Sequence, residues 1–318
     1  MLTSSSTDAL LSASWCTRHP FSEPDQAVMA RLRAATGPNK GKLRGIAARP
    51  IFDDLISHTA APVGVRYRED RVGGIAGSWC EPDGAPAGRA ILHLHGGWFN
   101  WGTAEAFRSL VGHIALKVNA NAFVPDYRRA PEHPFPSALV DASACLDGLL
   151  DSGLKSVAVT GDSAGGNLAL LSVLGLSAAQ KHRIVGVVAL SPVTDLTLSS
   201  DSWISRADSD LFFVKDQVQG LVDAYLAGHA PSDPAASPLC ADLSGFPAVR
   251  VHVGEAEVLL DDALRWTALA VAAGVDARAD VWDGLPHGFI GSIGQMLGAD
   301  AALALIGAFL TERFAAHR

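Results

Sequence analysis

The sequence predicts an α/β protein, a mostly parallel sheet with helices on both faces. Three observations carry that expectation. From about Ala90 onward, short β-rich runs alternate with helical patterns, as successive βαβ units require. Hydrophobic residues make up 48% of the 318 positions and charged residues 18%, which supplies a sizeable core and excludes a largely disordered chain. No repeat with a period of roughly 20 to 50 residues is present, which excludes solenoids and propellers.

The β-rich runs are Ala90 to Leu94, Ala122 to Val124, Ser156 to Thr160, Val185 to Leu190, Val249 to Val253 and Asp276 to Trp282. Helical patterns occupy Ala104 to Val118, Pro136 to Leu150, Ala164 to Ala179, Glu257 to Ala273 and Gln295 to Ala316. In such sheets functional groups gather beyond the C-terminal ends of the strands, so the residues after each run matter most. Two segments interrupt the alternation. Residues 1–60 precede it, with turn formers at Pro24, Gly37, Pro38 and Gly41. Residues 195–228 separate two strands, with Trp203, Leu211, Phe212, Phe213 and Tyr225 at helix-like intervals. Together they are expected to cap the strand ends, leaving residues 61–318 as the main domain.

A formal net charge of −8 argues against a nucleic-acid partner and against a polybasic membrane anchor. The four cysteines form no CxxC pair, so neither a zinc ribbon nor a dithiol redox centre is supported, and they read as small buried apolar residues. No basic, apolar leader is expected, and no uncharged run approaches the ~18 residues of a membrane span. A soluble, reducing and cytoplasmic setting is the expectation. Neither G-x-G-x-x-G nor G-x-x-x-x-G-K-[ST] occurs, and no nucleotide or other cofactor is expected.

The chemistry starts at Gly161-Asp162-Ser163-Ala164-Gly165, followed by Gly166. It fits G-x-S-x-G between a strand and a helix, the context a serine nucleophile on a sharp turn requires. Small neighbours relieve the strained backbone, and the helix N-terminus behind Ser163 favours negative charge developing there. A second signal, His95-Gly96-Gly97-Trp98, ends the first parallel strand. Backbone N–H groups of Gly96 and Gly97, with that of Ala164, are the candidate oxyanion donors. Trp98 stands where a third glycine is common. His93 and His95 share a strand face, but no further ligand lies at metal spacing, and no metal site is expected.

Among the 11 histidines, position selects His287, in the turn Asp283-Gly284-Leu285-Pro286-His287-Gly288 after the last strand. An imidazole there can take the serine proton and return it to the leaving group. The orienting acid is sought in Gly254-Glu255-Ala256-Glu257-Val258-Leu259-Leu260-Asp261-Asp262, after the preceding strand. Glu257 is the choice, and Asp261, one helical turn further on the same face, is the alternative.

Read together, these residues resemble the hormone-sensitive-lipase-like, or bacterial family IV, α/β-hydrolase carboxylesterases over roughly Arg66 to Phe314. The likeness rests on His95-Gly96-Gly97, on Asp126-Tyr127-Arg128-Arg129-Ala130-Pro131-Glu132-His133-Pro134, on Gly161 to Asn167, on Asp233-Pro234-x-x-Ser237-Pro238-Leu239, and on the acid and histidine loops. The family's acid motif is usually D-P-L-x-D-[DE], so laying it on residues 257–262 makes Glu257 the acid, with Glu for the commoner Asp. The resemblance implies an α/β-hydrolase fold with an eight-stranded, mostly parallel sheet and a helical cap. It further implies hydrolysis of short- to medium-chain acyl esters without cofactor, through an acyl-enzyme on Ser163. Asp126, Arg128 and Glu132 are then bracing residues. Trp98, Phe99, Trp203 and Phe212, together with Trp101 and Phe213, are expected to line the substrate pocket. A homodimer is the assembly the family suggests. The same motifs suit a lactone, amide or carbamate. A non-catalytic ligand-binding relative is disfavoured because His287 is present.

Overall fold

A computed structural model describes residues 7–317. Nine strands form one sheet: β1 Cys16–His19, β2 Val65–Val72, β3 Ile75–Pro82, β4 Arg89–Leu94, β5 Asn121–Pro125, β6 Ser156–Asp162, β7 Ile184–Leu190, β8 Val249–Gly254 and β9 Ala277–Trp282. Their order is β1-β9-β8-β7-β6-β4-β5-β3-β2. Only the pairings of β3 with β2 and with β5 are antiparallel. The helices are α1 Thr7–Leu11, α2 Glu23–Thr36, α3 Arg49–Ser57, α4 Ala104–Val118, α5 Ser137–Asp151, α6 Ala164–Leu174, α7 Ala178–Lys181, α8 Ser202–Ser205, α9 Lys215–Leu226, α10 Leu260–Ala272 and α11 Leu297–Ala316.

The central strands are continuous apolar runs because both their faces are covered. Every residue of β7, Ile-Val-Gly-Val-Val-Ala-Leu, is buried. One core layer joins the sheet to α5, α6 and α10 through residues such as Leu146, Leu168 and Trp266. The other joins it to α4 and α11 through Phe107, Ile114, Ile306 and Leu310. Helix α6, mostly apolar with Asn167 and Ser172 as its polar members, is buried from Ala164 to Val173, as a helix wedged into the centre must be.

The sheet has nine strands, not the eight expected. The additional strand is β1, which pairs in parallel with β9 from Cys16↔Ala279 to His19↔Trp282. Nothing in Cys-Thr-Arg-His alternates between apolar and polar, so its partner makes it a strand. His19 stacks on Trp282 with ring centroids 3.9 Å apart and bonds Asp280 at 2.7 Å, while Arg18 pairs with Asp283 at 2.7 Å. Residues 16–19, expected with the cap segment, therefore belong to the sheet edge. A second departure is the β2–β3 hairpin, which lies before Ala90 and turns at Gly73-Gly74, with φ of 58° and 82°.

From α2 to α3 the chain packs against residues 207–217. Lys40 donates to the carbonyls of Ala207 and Asp210 at 2.5 and 2.6 Å, Gln217 donates to that of Leu43 at 2.8 Å, and Gly41 N–H donates to that of Phe212 at 3.1 Å. Arg49 on α3 reaches the carbonyls of Asn100 and Ala130 and forks onto Glu132. These contacts join the two interrupting segments to each other and to the loops that follow β4 and β5. Among the described residues no helix is long and apolar enough to cross a membrane.

Candidate active site

Strand β6 ends at Asp162, and Ser163 follows with φ 55° and ψ −121°, in a region that side chains rarely adopt. The turn is held because Ser163 N–H donates to the Leu190 carbonyl at 2.8 Å, and its own carbonyl accepts from Val193 and Asn167. A Cβ on Gly165 would lie 1.9 Å from the Leu94 carbonyl oxygen, which is why the position requires glycine. Ala164 opens α6, so its N–H has no intrahelical acceptor and points to the space before the helix.

Of the carboxylates in the acid loop, Glu257 alone meets His287. It is fully buried, and its Oε2 bonds His287 Nδ1. Its Oε1 accepts from Ser191 Oγ at 2.6 Å and from Gly254 N–H at 2.7 Å. Asp261 faces elsewhere, accepting from Thr7 Oγ1 and Ser202 N–H, each at 2.8 Å. Asp262 accepts from the N–H groups of Thr194 and Asp195, and Glu255 pairs with Arg206 at 2.9 Å. Burial alone would push the His287 pKa down. The charge of Glu257 and its hydrogen bond, with smaller contributions from Asp210 and Asp162, outweigh that and leave it raised. Ser163 and His287 line one narrow cavity with Leu190, Ser191, Gly288 and Phe289. No hydrogen bond joins their side chains in this arrangement, a looseness common before substrate closes the contact.

The loop after β4 is clamped from several sides. Tyr127 OH donates to the His95 carbonyl at 2.7 Å, and the ring stacks on His95 at 4.2 Å. Burial lowers the His95 pKa to about 4, so this imidazole is neutral. Gly97, Trp98 and Phe99 all have positive φ, at 116°, 51° and 61°. Gly96 N–H donates to Asp162 Oδ1 at 3.0 Å, beside His93 Nε2 at 3.3 Å. Gly96 is thus corrected from oxyanion donor to anchor of the loop. The N–H groups of Gly97 and Trp98 have no hydrogen-bond partner among the described residues. The Asp126-to-Glu132 stretch braces this arrangement: Asp126 Oδ1 accepts from Ala104 N–H at 2.7 Å, and Arg128 forks onto Asp141.

The aromatic residues divide. Trp98 packs on Trp203 at 6.3 Å and edge-on to Phe213 at 5.5 Å, and Phe213 sits edge-on to His287 at 5.1 Å. Phe99, expected to line the pocket, is fully buried and stacked on Tyr225 at 3.8 Å, where it joins the loop to α9. Of Phe212 and Phe213, both expected at the pocket, Phe213 makes the contact with the imidazole. Trp101 donates to the Gly45 carbonyl at 2.8 Å, a packing role.

Two residues of the site escaped sequence reasoning. Ser191 directly follows β7, where the strand-end rule points, but it carries no motif. Asp210 sits among acids of ordinary surface appearance and has no sequence signal. Among the described residues no three His, Cys, Asp or Glu side chains converge to hold a metal ion.

Comparison with known proteins identifies the family. A family model described as α/β hydrolase fold matches residues 91–291. An esterase of Acinetobacter venetianus is 33% identical over 278 residues, covering 86% of this chain and 91% of that protein. An acetyl-hydrolase of Streptomyces hygroscopicus is 31% identical, covering 87% of this chain and 86% of its own. The crystal structure of an esterase from the bacterial hormone-sensitive lipase family superposes with a TM-score of 0.85 at 32% identity, covering 93% of this chain and 99% of that one. By motif, fold and relatives alike, this chain is a hydrolase that belongs to the bacterial hormone-sensitive-lipase family of α/β-hydrolase esterases.

Proposed function

We propose that the protein is a serine carboxylesterase acting on short- to medium-chain acyl esters through an acyl-enzyme. Ser163 Oγ attacks the ester carbonyl carbon while His287 Nε2 takes its proton, and Glu257 holds the imidazole in the tautomer that leaves Nε2 free. The N–H groups of Gly97, Trp98 and Ala164 are the donors available to the oxyanion. His287 then gives the proton to the departing alcohol, and a water activated by the same imidazole releases the acid. The observation that carries this reading is the buried Glu257–His287 bond facing Ser163 across one cavity. The narrowness of that cavity supports the short end of the acyl range, and the cluster of Trp98, Trp203 and Phe213 stands behind His287. In this reading residues from α2 to α3 and residues 195–228 form the cap over the domain spanning 61–318. A cytoplasmic setting is supported by four free thiols, and a homodimer is the assembly the family suggests.

The test is hydrolysis of p-nitrophenyl esters from acetate to laurate, with Ser163→Ala as the blank. Activity peaking at short chains and absent from the variant is expected. A folded protein inactive on every ester overturns the ester reading and turns attention to lactones and amides. Retained activity in Ser163→Ala moves the nucleophile elsewhere.

A further inference from the structure

Asp210 lies between α8 and α9 and is 1% exposed. Its Oδ1 accepts the N–H groups of Phe212 and Phe213 at 2.8 and 2.9 Å, and its Oδ2 accepts that of Val258 at 2.9 Å. Phe213 is the ring against His287, and Val258 directly follows Glu257. One carboxylate therefore joins the cap insertion, the ring behind the base and the backbone behind the acid. Its own main chain is fixed as well, with N–H donating to the Arg206 carbonyl at 2.9 Å and carbonyl accepting from Lys40 at 2.6 Å.

Two departures from the family's usual acid motif meet at this point. Glutamate is one methylene longer than the usual aspartate, so its backbone must stand further from His287. Position 258 usually carries proline, which has no N–H to donate; valine supplies one, and Asp210 takes it.

We propose that Asp210 is a positioning residue for the reaction, holding the backbone of the acid loop where a glutamate reaches His287 and adding negative charge behind the imidazolium. The inference rests on the Ser163–His287–Glu257 reading above. The acidic groups acting on His287 are Glu257 from the acid loop, Asp162 from the nucleophile turn and Asp210 from the insertion. Around Asp210 itself stand Lys40 and the Arg206–Glu255 pair. Each carboxylate favours the protonated imidazole, so removing one lets His287 reach its neutral, working form at lower pH.

The experiment measures pH profiles of kcat and kcat/KM with p-nitrophenyl acetate for the wild type, Asp210→Asn, Val258→Pro and Ser163→Ala. In Asp210→Asn an amide meets the Val258 N–H and the charge is gone. The acid limb is expected to move down by roughly half to one pH unit, and kcat to fall about 10- to 100-fold with KM little changed. Val258→Pro removes the tether but keeps the charge, so kcat falls while the acid limb stays. A wild-type acid limb in folded Asp210→Asn, or wild-type kcat in Val258→Pro, overturns the proposal. Should Asp210→Asn fail to fold, Val258→Pro decides alone, because it leaves Asp210 and its bonds to the Phe212 and Phe213 N–H groups in place. Activity surviving in Ser163→Ala would instead discard the triad reading beneath it.

Discussion

Replacing Glu257 by Gln separates the acid from its neighbour Asp261 and gives a number to compare. Glu257 Oε1 holds two donors, Ser191 Oγ and Gly254 N–H, which a glutamine oxygen continues to satisfy. The amide nitrogen must then face His287 Nδ1, donor toward acceptor. The imidazole answers by placing its proton on Nε2, where it can no longer accept from Ser163. A wrong tautomer in an otherwise intact triad costs about 10³- to 10⁴-fold in kcat, or ~4 to 5.5 kcal/mol of barrier. Asp261→Asn acts on a different quantity. It weakens the contacts to Thr7 and Ser202 N–H, removing about 1 to 3 kcal/mol of stability, with kcat within about threefold of wild type. Stopped assays with p-nitrophenyl acetate, alongside denaturant titration of both variants, measure the two effects independently. If Asp261→Asn loses more kcat than Glu257→Gln, or Glu257→Gln loses less than about tenfold, the assignment of the acid is refuted.

Glycine substitutions should divide sharply. Gly165→Ala puts a Cβ 1.9 Å from the Leu94 carbonyl oxygen and 2.5 Å from that of His95, both backbone, so a cost of about 3 kcal/mol or more and loss of activity are expected; a thermal melt and an esterase assay check it. Gly220→Ala, in α9 with open space around it, should instead stabilise by about 0.5 to 1 kcal/mol with unchanged kcat. Asp262 is pushed up to about 7, chiefly by burial and then by the charge of Asp195, against the N–H groups that bind it. Its folded pKa lies above the unfolded one, so its contribution to stability falls as pH rises from about 4 through 7. Asp262→Asn should flatten that dependence in urea titrations, and a parallel pH dependence in both proteins would show that Asp262 is ionised throughout.

The parts of the molecule that were legible in the sequence share one property: their identity is forced locally. The short, β-branched apolar run of β7 reads as a buried strand, and Gly161-Asp162-Ser163-Ala164-Gly165 has glycine where a side chain would strike backbone. The parts that were missed depend on distant partners. Strand β1 is polar and exists by pairing with β9, some 260 residues later along the chain. The β2–β3 hairpin carries a local signal of its own, Gly73-Gly74 between two β-rich runs. At the oxyanion loop the sequence identified the segment and not the donor. Whether Gly96 N–H is free depends on where Asp162 points, which no spacing within the loop reveals. Phe212 and Phe213 are likewise adjacent and alike in chemistry, and only the turn held by Asp210 decides which one meets His287.

The placement of β1 orders events during synthesis. Among the described residues its strand partner is β9, the last of the nine in chain order, and α1 before it packs on α10. β1 must therefore wait, unpaired, until β9 has been made. Its docking then covers the open hydrogen-bonding edge of β9, which would otherwise be a template for another chain's strand. Before β1 docks, β9 carries an uncovered edge open to association with a second molecule.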